Sequence, residues 1–508
     1  MAKESRLAIW WTTAWVAACG QAAGPAAGTD ITQDANAETT QADTATAPKD
    51  GAANEVGRAT DGATGDSGAA KDAGTVETAD AGPNCPKNCD DSNPCTDDVC
   101  AATGCINTPN TLPCDDKKTC TANDVCSAGV CKGKAVYWQS SFTSPQPEAL
   151  NAVMATEGGF AAIGHTQAKG AGGSDGWLLF LNQHGSLQSD HTYGGDGDDV
   201  LRSLAWTGNG WMAVGSRKAK GSKTFGTWAV QIDKAGTLIA ESAPPPDTDE
   251  ELHAVVQSQN AASFLAAGYR DDKNGDTRLL LQRLEPSGAK LWEKTHGTTP
   301  FNPAWDLAAL PDGGAVAVGD VAPGGGAFHL WLVRFDKDGN QTWQRTYKDN
   351  GEDWGRSVAV LLDPAGQVTG YVVGGSRKEP GQAERAWLLR TDAEGKIQWQ
   401  TTLYAKGPSS VLAVARGTGA DGFLLAGRTR SPDGPLAGMD QLTIWRTDVS
   451  GVIKWQTATG TANSEGRGLA VQVDGATVVG AAWAGTAGAT DALAVRASIN
   501  DGKTSCAQ

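Results

Sequence analysis

The sequence predicts an all-β protein: a seven-bladed β-propeller, preceded by a small disulfide-rich module and a disordered tether. Three observations carry this reading. Seven hydrophobic segments each run into a glycine, at Gly164, Gly215, Gly268, Gly319, Gly375, Gly427 and Gly480, with spacings of 51, 53, 51, 56, 52 and 53 residues. A period near 50 with about four short strands per unit marks a propeller blade, whose two apolar faces only neighbouring blades can cover. An apolar strand follows each glycine, and a tight turn usually follows that strand. Finally, 65 of the 508 residues are glycine, and 18 are tryptophan against 4 methionines. Helices tolerate glycine poorly, whereas aromatic residues suit pleated, half-buried surfaces.

Residues 1–19 read as an export signal: Lys3 and Arg6 form a positive start, and Leu7 to Ala18 form an apolar run. That run is too short to span a bilayer, which needs roughly 20 residues. It closes on Val16-Ala17-Ala18-Cys19-Gly20, which resembles a bacterial lipobox. The resemblance implies lipidation of Cys19 and an anchor rather than a span. It further implies a bacterial envelope lipoprotein of the outer membrane, facing the surface or the periplasm. Ordinary secretion with cleavage near the alanines is the alternative.

Residues 20–84 hold 11 Asp/Glu against 3 Lys/Arg, with few aliphatic and no aromatic residues. Such a chain cannot bury enough apolar surface to offset its ordering entropy, so it reads as a disordered, acidic tether. The whole chain carries a net charge of −16, which argues against nucleic acid as a partner.

The disulfide-rich module spans 85–134. Two four-cysteine units are visible, Cys89, Cys95, Cys100 and Cys105, then Cys114, Cys120, Cys126 and Cys131, with Cys85 before them. Their fillers repeat: Cys89-Asp-Asp-Ser-Asn-Pro-Cys95-Thr-Asp-Asp-Val-Cys100 stands beside Cys114-Asp-Asp-Lys-Lys-Thr-Cys120-Thr-Ala-Asn-Asp-Val-Cys126. The units resemble the CTDC-type cysteine repeats of extracellular matrix and bacterial surface proteins. Zinc sites favour Cys-x2-Cys pairs, which are absent here, and export favours disulfides. The Asp-Asp pairs after Cys89 and Cys114 carry the oxygen ligands that calcium takes. Solvated turn carboxylates are the default, and no cofactor is expected.

The propeller is expected over 135–503, with 504–508 as a tail. Its third strands include Trp177-Leu-Leu-Phe-Leu, Trp228-Ala-Val-Gln-Ile, Trp331-Leu-Val-Arg-Phe and Trp387-Leu-Leu-Arg. Asp-x-x-Gly turns follow at Asp233/Gly236, Asp336/Gly339, Asp392/Gly395 and Asp448/Gly451, with Glu285/Gly288 and Asn182/Gly185 as variants. A further strand then carries Trp292, Trp343, Trp399 or Trp455. The run from Trp331 to Trp343 resembles SBBP-type propeller repeats and, more loosely, the blades of PQQ-dependent quinoprotein dehydrogenases. The resemblance implies that the Asp-Gly turn joins a blade's third strand to its outermost, and that these tryptophans pack between blades.

Residues 136–142, Val136 to Phe142, match the tryptophan strand but follow no turn, while the last unit ends at Asn500-Asp501-Gly502 without one. They should therefore form the outermost strand of the final blade and close the ring. With Cys19 assigned to lipid, ten cysteines remain. Closure would set the module beside the last blade and favour a bridge from Cys85 to Cys506.

No catalytic constellation emerges. Gly172-Gly173-Ser174-Asp175-Gly176 has the nucleophile-elbow spelling but sits in an all-β array without the strand-to-helix turn that elbow needs. The histidines at 165, 184, 191, 253, 296 and 329 recur at no blade position. The acidic loops 194–199 and 271–276 lack the EF-hand order and read as solvated turns. The expected protein is a monomeric, lipid-anchored, non-catalytic surface protein presenting its propeller to an unknown protein or glycan. A quinoprotein-like periplasmic oxidoreductase and a polysaccharide- or peptidoglycan-binding module are the alternatives.

Overall fold

A computed structural model describes residues 89–504, apart from 102, 118–120, 136, 243–247, 260–261, 273, 349–350, 404–406, 418–421, 460–462, 473–474 and 484–489. The expectations for Cys19, the tether, Cys85, Cys120 and Cys506 lie outside the described residues.

The repeat period becomes seven four-stranded antiparallel sheets. The innermost strands are Glu148–Thr156, Asp198–Trp206, Asp249–Gln257, Ala304–Ala309, Glu352–Leu362, Ser409–Arg416 and Asn463–Gln472, and they define blades 1 to 7. The ring closes as expected. Trp138–Phe142 is the outermost strand of blade 7, with Trp138 paired to Arg496 and Phe142 to Ala492. A chain-distant strand thus seals the last sheet, and no blade is left with three strands.

Each of the seven period-marking glycines sits on a second strand opposite an irregularity in the innermost one. The innermost register slips by one residue at 151, 202, 253, 305, 356, 412 and 467. The slip pushes a backbone carbonyl at the facing strand. A Cβ at Gly164, Gly215, Gly268, Gly319, Gly375, Gly427 or Gly480 would stand 1.8–2.0 Å from that oxygen. Only glycine admits this approach, which explains the glycine at this point of every unit.

The Asp-x-x-Gly turns are built in a similarly direct way. In the turn 336–340, Asp336 Oδ1 accepts from the N–H groups of Asp338 and Asn340, and Gly339 takes φ 76°. The ring of the preceding blade's outer strand lies flat on the turn glycine: Trp292 on Gly339, Trp343 on Gly395, Trp399 on Gly451, Trp455 on Gly502 and Trp138 on Gly185. His191 does the same for Gly236. The tryptophans therefore wedge neighbouring blades together, as the resemblance implied. Five blades carry a tryptophan at this register position, blade 1 has Ser189 there and uses His191 instead, and blade 2 has Ala240. At the seam between blades 2 and 3 a notch of about 80 Å³ remains beside Ala229, Leu252, Leu284 and Gly288.

The module consists of two hairpins, Thr96–Ala101 with Gly104–Pro109 and Thr121–Ser127 with Val130–Ala135. Cys89–Cys105 and Cys114–Cys131 lie within the two repeat units, whereas Cys95–Cys126 joins them. Cys100 is also disulfide-bonded. Sulfurs held this way are not thiolates for zinc. Among the described residues no helix is long and apolar enough to cross a membrane.

Candidate functional site

The slipped residues of the innermost strands are Asn151, Arg202, His253, Trp305, Arg356, Leu412 and Arg467, and all are at most 7% exposed. Their contacts run from blade to blade around the axis. Arg467 Nη1 donates to Asn151 Oδ1 (3.0 Å), and Asn151 Nδ2 donates to the Leu201 carbonyl of blade 2 (2.8 Å). Arg202 donates through Nε and Nη2 to Glu251 of blade 3, which also accepts from Ser216 and Tyr269. His253 stacks on Trp305 with centroids 4.9 Å apart and planes 8° apart. Arg356 lies over Trp305, and both donate to Asp320 Oδ2, at 2.6 and 2.7 Å. Leu412 is the apolar member.

The polar side chains at these positions are thus buried and paired across neighbouring blades. Burial opposes the charge on Glu251, but the Arg202 guanidinium outweighs it and holds the carboxyl well below the usual range. Burial, aided by the charges of Arg467 and Arg202, pushes the His165 imidazole down to about 3. Asp306 has hydrogen-bond donors but no cation: it accepts from Ser357 Oγ and the Val358 and Leu307 N–H groups. Burial there raises its carboxyl to about 7. Asp306 and Ser357 link blades 4, 5 and 6, since Ser357 Oγ in turn accepts from the Val414 N–H.

At the end of the ring where the innermost strands begin, three rings gather near the seam between blades 4 and 5, two of them at the level of the third strands. Phe301 and Phe328 are 5.5 Å apart at 78°, and Phe328 and Trp354 are 6.3 Å apart at 34°. All three are only half-buried. The Asp353 N–H donates to the Phe328 carbonyl across the seam (2.8 Å), fixing the ring positions relative to each other. Pro323 to Ala327 lead into Phe328, with Gly324 and Gly325 at φ 63° and 72° and open space around both.

Several sequence-level candidates resolve into structural roles. Ser174 Oγ accepts from Gln167 Nε2 (3.1 Å) and serves the seam between blades 1 and 2 through its carbonyl, which accepts from the Asp199 N–H. The acidic loops are not simply solvated: Asp199 pairs with Arg217, Asp198 with Lys218, and Asp272 and Asp276 with Arg278. Ion pairing, favoured by partial burial, replaces water there. In the module, ligand-type oxygens of Asp90, Asp91 and Asp98 lie within 4.8 Å of one another, as do those of Asp115, Asp116 and Asp124. Asp98 and Asp124 each also accept a backbone N–H, from Asp91 and Asp116, so both trios close their own turns. Sequence reasoning missed the axial residues and the aromatic seam. The wedge tryptophans repeat; Phe301 and Trp354 do not.

No known protein family and no curated protein sequence matches the chain. Among solved structures, an acylaminoacyl peptidase from Pyrococcus horikoshii is similar over 70% of this chain and 52% of its own, with 10% identity and a TM-score of 0.37. The chain thus spans about half the length of that protein.

Proposed function

We propose that the chain is a lipid-anchored cell-surface protein whose propeller binds a ligand on its surface and catalyses nothing. One observation carries the binding reading: the polar axial side chains pair with one another across the blades, while three clustered rings between blades 4 and 5 stay partly open to solvent. Exposed clustered aromatics are the usual anchors of recognition. The disulfide-rich module and the signal-like residues 1–19 support an exported, anchored setting.

Two measurements test this. Cys19→Ser should release the protein from the membrane fraction; a variant that stays there removes the lipid anchor from the proposal. The full chain, fluorescently labelled and added to intact cells, should be retained by its propeller saturably. Purified protein that carries PQQ and calcium would overturn the non-catalytic reading.

A further inference from the structure

Resting on that binding reading, we propose that Phe301, Phe328 and Trp354 form a stacking platform for a neutral oligosaccharide. The seven-fold repeat supplies its own control. Two residues before the axial residue stand Ala149, Val200, Glu251, Pro303, Ser410 and Glu465 in the other blades, but Trp354 in blade 5. Four residues before it stand Pro147, Asp198, Asp249, Glu352, Pro408 and Asn463, but Phe301 in blade 4. At each position six of the seven blades lack an aromatic ring, and five lack one at both, so the fold does not need these two. Most other tryptophans of the ring recur on turn glycines or inside the third strands; Trp305 belongs to the axis, and Trp206 packs against Trp211 within blade 2.

What the rings do instead follows from their surroundings. Aromatic faces attract the C–H groups that line the faces of a sugar ring. Trp354 is tilted 34° from Phe328 at 6.3 Å and Phe301 stands edge-on to Phe328 at 5.5 Å, so the cluster offers aromatic surface along the seam rather than one flat face. A sugar also needs donors and acceptors at its rim. The loop 323–327 presents main chain without side-chain cover, since nothing stands within 4 Å of where a Cβ of Gly324 or Gly325 would be. Of the nearby carboxylates, Asp353 pairs with Arg377 and Asp320 with Arg356, both at 2.6 Å, while Glu352 shares a strand face with Trp354. Residues 132–508 hold 39 Asp/Glu against 34 Lys/Arg, so the propeller offers no strong field to an ion of either sign. A neutral, hydroxyl-rich ligand with apolar faces fits this chemistry.

The test is calorimetric titration of the full chain with cellohexaose, chitohexaose and laminarihexaose. At least one should bind, and Trp354→Leu should weaken it tenfold or more, as should Phe328→Leu. Trp354→Phe, which keeps a ring, should retain most of the affinity and guards against loss of fold as the cause. Ile239→Ala, a change at an exposed residue on blade 2, should leave binding unchanged. The proposal falls if none of the three sugars binds, or if Trp354→Leu binds as the parent does. Saturable retention on cells that survives Trp354→Leu would sink the oligosaccharide platform while leaving the binding reading in place.

Discussion

Replacing Gly427 by alanine tests the physical reason for the repeat. The residue pairs with Val411 next to the register slip of blade 6. A Cβ there would lie 2.0 Å from the Ser410 carbonyl oxygen and 3.1 Å from the Leu412 nitrogen. The obstacle is rigid backbone on both sides, so the two strands must part by roughly an ångström to reach van der Waals contact. Overpacking of this kind costs about 1–3 kcal/mol, and parting the strands sacrifices one or two ladder hydrogen bonds at about 1 kcal/mol each. The expected loss is therefore about 2–5 kcal/mol. Because Gly427 has no left-handed φ, backbone conformation contributes little to it. Gly158→Ala is the control: that glycine also lacks a left-handed φ, and nothing lies within 4 Å of its Cβ position. Urea unfolding followed by tryptophan fluorescence measures both. If Gly427→Ala unfolds within about 0.5 kcal/mol of the parent, the size of ordinary surface substitutions, the close-approach argument is wrong.

Trp399→Ala removes the ring between Gly451 and the core around Phe423, and should cost about 3–5 kcal/mol in the same assay. Ala240→Trp should instead stabilise by about 1 kcal/mol, because it places a ring at the one seam that lacks it; an unchanged or lowered midpoint would show that the notch cannot accept the ring. Arg202→Met alone should cost about 3–5 kcal/mol by stranding Glu251, and adding Glu251→Leu should recover much of it. The His165 imidazole has a native value near 3 against an ordinary 6.5, so its contribution is present above 6.5 and is lost as pH falls through that window. Stability should drop between pH 6.5 and 4, and His165→Gln should flatten that drop; an equal slope in the variant would contradict the assignment. Asp306, raised to about 7, works in the opposite sense, its contribution being lost as pH rises from about 4 to 7.

The ring was legible in the sequence wherever one residue answers to one local constraint. Gly427 meets a carbonyl, Gly339 combines a left-handed turn with a ring laid on it, and Asp336 caps that turn with its own carboxylate. Such demands recur in each blade at nearly fixed spacing, so they print a period. Closure by Trp138–Phe142 was legible too, because a tryptophan strand without a turn and a final turn without a tryptophan strand complete each other. Other features required the tertiary structure. Asn151 lies 13 residues before Gly164, but Arg356 lies 19 before Gly375, because the hairpin between the first two strands varies in length. The residues that meet on the axis thus keep no single distance to the marker glycines, although they recur 51, 51, 52, 51, 56 and 55 residues apart. What hides them is their chemistry, since Arg202, His253 and Trp305 are each fitted to a neighbour in another blade and so share no residue type. The Cys95–Cys126 bridge joined two units that look independent, because pairing depends on which sulfurs the folded hairpins bring together. Phe301, Phe328 and Trp354 are dispersed in the chain and become one surface only when blades 4 and 5 meet, since a seam belongs to two repeats and is encoded in neither alone.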